Sequence, residues 1–216
     1  MSRGIRAFAV TEHEGNYFEK GLRLLEAGEF DGAVALFDSA IKLGLGDIAE
    51  IYLCRGGAQA ALGRPQAALE SVNAALEIEP YLAAAYLERG NLQIRQRNIE
   101  AAVNDYTMAI HIEPAFDEAY FSRALAYEER KRYAEAEADL TRALDLNPNL
   151  LAAYEARGRA RAAQFKFDDA IADLSAYLRS GGGRQFDNHS ETQGYLLILR
   201  AQRLLLRLIP GVGRRG

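Results

Sequence analysis

The sequence predicts an all-α fold: a right-handed α-solenoid of five helix–turn–helix hairpins with a C-terminal capping helix. Three observations predict it. Pro80, Pro114 and Pro148 stand 34 residues apart, each closing the same phrase (Ala75-Leu-Glu-Ile-Glu-Pro80, Ala109-Ile-His-Ile-Glu-Pro114, Ala143-Leu-Asp-Leu-Asn-Pro148). A tyrosine followed four residues later by a small residue recurs with the same beat: Tyr17 and Gly21, Tyr52 and Gly56, Tyr86 and Gly90, Tyr120 and Ala124, Tyr154 and Gly158. A second series of alanines follows in register, Ala33, Ala68, Ala102, Ala136 and Ala170, with Ala40, Ala75, Ala109 and Ala143 seven residues on and Tyr177 in the fifth place. A period of 20–50 residues marks stacked repeats, each too small to bury its own apolar face.

The spacing justifies each element in turn. The tyrosine and the small residue, i and i+4, lie one above the other on a helix face. Glycine inside a helix costs about 1 kcal/mol relative to alanine. Four of the five units keep it, which points to a close crossing where a larger side chain would overpack by ~1–3 kcal/mol. A second helix opens at Phe30, Pro65, Ile99, Tyr133 and Phe167. Proline suits the first turn, where its missing N–H is no loss, and Pro80, Pro114 and Pro148 bar continuation past the helix ends. Short joints such as Leu62-Gly-Arg64 and Arg130-Lys-Arg132 fit antiparallel hairpins. The expected units are 14–48, 49–82, 83–116, 117–150 and 151–180, after a lead-in over 1–13. The first unit has one extra residue in Gly44-Leu-Gly-Asp47, which suggests a looser joint.

This set of tyrosine, small residue, paired alanines and closing proline resembles the tetratricopeptide repeat, over residues 14–180. Tyrosine stands where the family usually has tryptophan. The fifth unit departs from the pattern, with Tyr177 for the late alanine and Gly182 where proline is due. Ser180-Gly-Gly-Gly-Arg184 then reads as the end of helical structure, with a Gly-rich loop over 181–190, a helix over 191–209 and a disordered tail over 210–216.

The helix over 191–209 sets Gln193, Arg200, Arg203 and Arg207 on one stripe and is otherwise rich in Leu and Ile. Its leading reading is a cap over the open end of the fifth unit, which solenoids need for solubility. A basic, leucine-rich helix also suits a dimer face, with self-association through 195–209, or a membrane surface. The +4 tail, joined through the flexible Gly181-Gly-Gly183, could also fold back into the acidic groove as a plug.

Composition narrows the classes. The chain has 216 residues, 49% apolar and 26% charged, with a net charge of −4. The six arginines and two acids of residues 184–216 leave the preceding body at −8, a poor nucleic-acid surface. Cys54 is the only cysteine, which excludes an internal disulfide and a thiolate metal site. The opening segment lacks the apolar run of a signal peptide, and no stretch reaches ~18 uninterrupted apolar residues, so a cytoplasmic location is expected.

No catalytic set is visible, and no cofactor or metal is expected. His13, His111 and His189 occupy unrelated registers. The glycines at 181–183 follow no strand and carry no Lys-Ser or Lys-Thr, so they make no phosphate loop. Arg55, Arg89, Arg123 and Arg157 recur, with Asp105, Asp139 and Asp173 sixteen residues after the last three, a pattern expected to form structural ion pairs.

The resemblance implies a non-enzymatic protein–protein interaction module or assembly scaffold whose groove is lined by first-helix residues. Here those are Phe18, Leu22, Glu50, Leu53, Leu87, Glu88, Asn91, Arg95, Glu118, Phe121, Ser122, Glu155 and Arg159. The mixture is apolar with an acidic surplus and suits an apolar or basic peptide or helix. Some members clamp an acidic C-terminal tail with a set of Lys, Asn, Asn, Lys and Arg. The matching places here, for example Leu53, Gly57, Glu88, Glu118 and Ser122, supply no such cations.

Overall fold

The computed structural model describes residues 16–208. The expected lead-in over 1–13 and tail over 210–216 lie outside the described residues. Twelve helices and no strand occur among the described residues. The chain divides into two compact units, and the division between Ala101 and Ala102 falls inside one helix.

The first unit holds α1 (Asn16–Glu26), α2 (Phe30–Leu43), α3 (Ile48–Ala61), α4 (Pro65–Ile78) and α5 (Ala83–Arg95). Helices α1 and α2, and α3 and α4, pair as hairpins, while α3 also packs on α2 and α5 on α4. The dividing helix, α6 (Ile99–Ile112), keeps the register, burying Ala102 and Ala109. The second unit holds α7 (Asp117–Glu129), α8 (Tyr133–Leu146), α9 (Leu151–Ala163), α10 (Phe167–Arg179), the single turn α11 (Gly182–Gln185) and α12 (His189–Leu208). There α7 pairs with α8 and α9 with α10, α9 packs on α8, and α12 packs on α10.

In three hairpins the small residue of the first helix sits where the second helix crosses. A Cβ on Gly21 would stand 2.5 Å from the Phe37 ring, one on Gly56 2.9 Å from Val72, and one on Gly158 2.8 Å from Leu174. The second-helix alanines, Ala33, Ala68, Ala136 and Ala170, are fully buried at the same crossings. Pro65 occupies the first turn of α4. Each hairpin turn passes through one left-handed residue, Gly28, Gly63, Arg97, Lys131 and Phe165, with φ between 58° and 76°. That conformation ends a helix by turning its last amides back onto orphan carbonyls.

The joint between α2 and α3 is closed by hydrogen bonds, where the sequence suggested a looser one. Gly44 is left-handed, and the Gly44 and Leu45 amides donate to the Ile41 and Ala40 carbonyls at 3.1 and 3.0 Å. Asp47 then caps α3, accepting from Ala49 and Glu50 at 3.0 and 3.1 Å. The extra residue is absorbed by two helix caps.

Arg123 and Arg157 form the expected ion pairs and extend further than the pattern showed. Arg123 donates to both Asp139 oxygens at 2.7 and 2.8 Å, and Arg157 to both Asp173 oxygens at 2.9 and 2.8 Å. Their remaining Nη1 reaches one hairpin back, to Thr107 at 3.0 Å and Thr141 at 3.3 Å. In the first unit Arg55 meets Ser71 at 3.1 Å and Asp38 at 2.7 Å. Each of these guanidiniums also lies over the tyrosine three residues earlier, with centroid distances of 4.8 Å for Tyr52, 5.8 Å for Tyr120 and 5.7 Å for Tyr154. The recurring tyrosine is therefore a shelf for the recurring arginine, and the arginine ties three helices together.

The segment after α10 is not the loop expected over 181–190. Residues 182–185 form the helical turn α11, and α12 begins at His189. Glycine is what permits this packing. A Cβ on Gly182 would collide with the Tyr177 ring, and one on Gly183 would stand 2.8 Å from His189 Cα. Tyr177 is buried, stacks on Phe186 with centroids 6.3 Å apart, and donates its hydroxyl to Asn188 Oδ1 at 2.8 Å. The two departures of the fifth unit, Tyr177 and Gly182, are thus one feature. The plug arrangement is also excluded for the described residues, because α12 packs on α10, in series with the hairpins of its unit.

Candidate functional site

Successive first helices lie side by side within each unit, α1 with α3 and α3 with α5 in the first, α7 with α9 in the second. This presents their intervening residues on one surface. In the first unit the apolar candidates contribute mainly to packing. Phe18 and Leu22 are half-buried against the α1–α2–α3 core, with the Phe18 ring 6.0 Å from Phe37. Leu53 packs against the core between α4 and α5. Leu87, expected on the groove, is 6% exposed and belongs to the core. Glu50 is exposed, Glu88 and Asn91 are half-buried, and exposed Arg95 donates to the Ala60 carbonyl at 3.4 Å. Burial, with a smaller contribution from Glu50, pushes the Cys54 thiol up to about 11, so it is held as the unreactive thiol.

The second unit gathers a denser set. Glu118 is exposed and Ser122 half-buried on α7, and Phe121 packs on the core between α8 and α9. Arg159 on α9 is gripped from two sides. It donates to both Glu128 oxygens on α7, at 3.0 and 3.1 Å, and to Glu155 one turn back, at 2.5 Å. The hydrogen bonds it donates to Glu128 come first in holding this guanidinium well above its ordinary value, against its partial burial. The sequence pattern makes Arg159 a free contact residue; in the structure it is the fixed centre of an acidic cluster.

A groove of about 580 Å³ opens between α9 and α12, lined by Glu155, Arg159, Leu174, Tyr195 and Ile198 together with Ser190 and Glu191 of the first turn of α12. Burial raises the Tyr195 hydroxyl above its ordinary value and keeps it a neutral donor. With Glu128 behind it, the groove sets three carboxylates against one arginine over an apolar floor. The sequence reading missed the α12 contribution, since Tyr195 and Ile198 read only as part of a leucine-rich helix. Their signal is the four-residue spacing of Glu191, Tyr195 and Leu199, which puts the polar first turn and the tyrosine on one side.

Among the described residues no group of three His, Cys, Asp or Glu side chains converges to hold a metal ion. No helix among them is long and apolar enough to cross a membrane.

Two stretches match tetratricopeptide repeat family models, residues 18–83 and residues 117–150. No curated protein sequence matches the chain significantly. Solved structures share its fold. A tetratricopeptide repeat protein from Parabacteroides merdae superposes with a TM-score of 0.70 at 18% identity, covering 90% of this chain and 77% of that one. MamA from Desulfovibrio magneticus RS-1, from residue 41 to its end, gives 0.69 at 18% identity, covering 81% and 98%. A thermophilic tetratricopeptide repeat protein from Thermus thermophilus gives 0.65 at 22% identity, covering 85% and 99%. At these identities the likeness is one of fold.

Proposed function

The chain belongs to the tetratricopeptide repeat family, and from that premise we propose that it is a non-enzymatic interaction scaffold that receives an apolar or basic peptide segment on its first-helix surface. Tetratricopeptide repeats commonly mediate protein–protein interaction. The observation that carries this reading is the groove between α9 and α12. Its floor of Leu174, Tyr195 and Ile198 accepts aliphatic side chains, and Glu155 and Glu191 stand at its rim. Arg159 is already neutralised by Glu128 and Glu155, so the local field is negative and attracts a lysine or arginine next to the apolar anchor.

Fluorescence anisotropy with three labelled peptides tests it: a basic amphipathic helix former, its acidic counterpart and a neutral one. The basic peptide is expected to bind and to weaken as salt rises, because the charged contacts are at the rim. Glu155→Gln with Glu191→Gln removes the two rim carboxylates while Glu128 keeps Arg159 paired. Each rim charge contributes about 0.2–1 kcal/mol, so affinity for the basic peptide should fall roughly two- to thirtyfold. Equal binding of the acidic and basic peptides, or no binding by any, overturns the reading.

A further inference from the structure

The α9–α12 groove carries hydrogen-bond donors that no group among the described residues uses. A guanidinium has five N–H donors and no acceptor. Three of those on Arg159 are taken, Nε and Nη2 by the two Glu128 oxygens and Nη1 by Glu155. One N–H on each terminal nitrogen is left, and the side chain is 40% exposed where it lines the groove. Carboxylates on α7 and α9 hold its plane, so these two donors are fixed in direction. The Tyr195 hydroxyl, from α12, belongs to the same groove and has no hydrogen-bond partner among the described residues. Burial acts on that hydroxyl most and the Arg159 charge next, so the two groups stand close together.

These donors call for an acceptor without charge. A carboxylate or phosphate would meet Glu128, Glu155 and Glu191 around an arginine that the first two already neutralise. A peptide carbonyl meets no such repulsion. The side of a helix offers no free one, because its carbonyls are bonded within the helix. An extended strand turns successive residues, and their carbonyls, to alternate sides, so only every second one faces a given wall. The last turn of a helix leaves four carbonyls without an intrahelical partner, all directed along the axis. That same turn favours Lys and Arg, which complement the negative end of the helix dipole.

Building on the reading that this groove receives an apolar or basic segment, we propose that its occupant is the C-terminal turn of a partner helix. The free carbonyls of that turn accept from Arg159 and Tyr195. A lysine or arginine of the turn meets Glu155 or Glu191 at the rim, and an aliphatic residue packs on Leu174 and Ile198. Arg159 then reads the main chain of the partner, and the rim carboxylates read its charge.

Fluorescence anisotropy of the full chain with two labelled basic peptides of one composition tests this. In the first, a leucine–lysine anchor lies in the last helical turn, closed by glycine and a C-terminal amide. In the second, the anchor lies mid-helix and the helix continues beyond it. The first should bind about tenfold more tightly, the worth of one or two hydrogen bonds. Tyr195→Phe keeps the ring on the apolar floor and removes its donor, so it should cut that preference roughly two- to tenfold. Arg159→Lys keeps a cation for Glu128 but loses the fork, and should also cut the preference, with a thermal melt to establish that the variant folds. A free C-terminal carboxylate in place of the amide should weaken the first peptide. Equal affinities for the two peptides, a preference untouched by Tyr195→Phe, or tighter binding of the free acid overturns the helix-end inference and leaves the acidic rim its role. Binding of neither peptide removes both readings.

Discussion

Hairpin α3–α4 and hairpin α9–α10 place a glycine at the same crossing, Gly56 against Val72 and Gly158 against Leu174. Around that shared crossing their polar groups differ. In α3–α4 the arginine meets a neutral partner: Arg55 bonds Ser71 at 3.1 Å, and Ser71 donates to Gln59 at 2.6 Å. In α9–α10 the same place is Asp173, which takes Arg157 through two oxygens and Arg161 at 2.8 Å. Arg161 continues to Glu137, which also receives Lys166 at 2.6 Å. The apolar register sets the hairpin; the polar layer around it is free to centre on a neutral serine or on a carboxylate in a charge network, provided the arginine stays satisfied.

The largest break in this comparison comes from removing the acceptor. Asp173→Ala leaves Arg157 and Arg161, both largely buried, without their shared carboxylate, and should destabilise the second unit by about 3 kcal/mol. The matching change, Ser71→Ala, removes one neutral acceptor and leaves Arg55 its Asp38 contact, so about 1 kcal/mol is expected. Urea melts followed by circular dichroism check both, and equal losses would show that the charge network adds nothing to the neutral one.

Next in size, the glycines should behave alike despite the different polar layers. Gly56→Ala and Gly158→Ala each drive a methyl to within 2.9 and 2.8 Å of a branched side chain and to 3.3 and 3.4 Å of a backbone carbonyl. Overpacking of this kind costs roughly 1–3 kcal/mol, partly offset by the better helix propensity of alanine. At Gly57, one residue along α3 with nothing within 4 Å, the same substitution should stabilise.

The network also gives the second unit a pH dependence. Burial alone would raise the Glu137 carboxyl, but hydrogen bonds from Lys166, Arg161 and Gln164 outweigh it and hold the group below its ordinary value. A carboxylate lowered on folding adds stability above its unfolded pKa of about 4.3, and that stability is lost as pH falls through the lower folded value. Glu137→Gln should therefore lower the melting temperature at pH 7 and lose that effect at pH 3. A constant difference across the range would remove Glu137 as the source.

Much of the hairpin skeleton was legible in the sequence because it rests on a single steric rule repeated at fixed spacing. Gly56 and Gly158, Ala68 and Ala170 announce the crossings without knowledge of their partners. The arginine–aspartate pairs were legible for the same reason, sixteen residues apart in a periodic frame. Outside that frame the signals fail. The glycines at 182 and 183 read as a break, because their packing depends on the Tyr177 ring and His189, contacts that no local propensity encodes. Leu87 read as a groove residue, since residues beside one another on a helix differ in burial by a small rotation. The α9–α12 groove was hidden because α12 follows a non-periodic joint, so its register could not be carried over from the repeats.

The smallest expected effect concerns the hairpin turns, where the comparison reverses. Hairpin α3–α4 turns through Gly63 at φ 70°, for which a left-handed backbone carries no steric penalty. Hairpin α9–α10 turns through Phe165 at φ 63°, where the Cβ crowds its own carbonyl at a cost of roughly 1–2 kcal/mol. Phe165 is 77% exposed, so little burial offsets that strain, although its ring meets Phe167 edge-on at 6.1 Å. Phe165→Gly relieves the backbone but loses the ring contact and loosens the unfolded chain by ~0.4–1 kcal/mol. The net gain should be a few tenths of a kcal/mol, and Lys131→Gly, at φ 58° and without a ring contact to lose, should gain more. If Phe165→Gly instead destabilises by over 1 kcal/mol, the ring contact outweighs the left-handed strain, and the turns of the two hairpins are held by different forces.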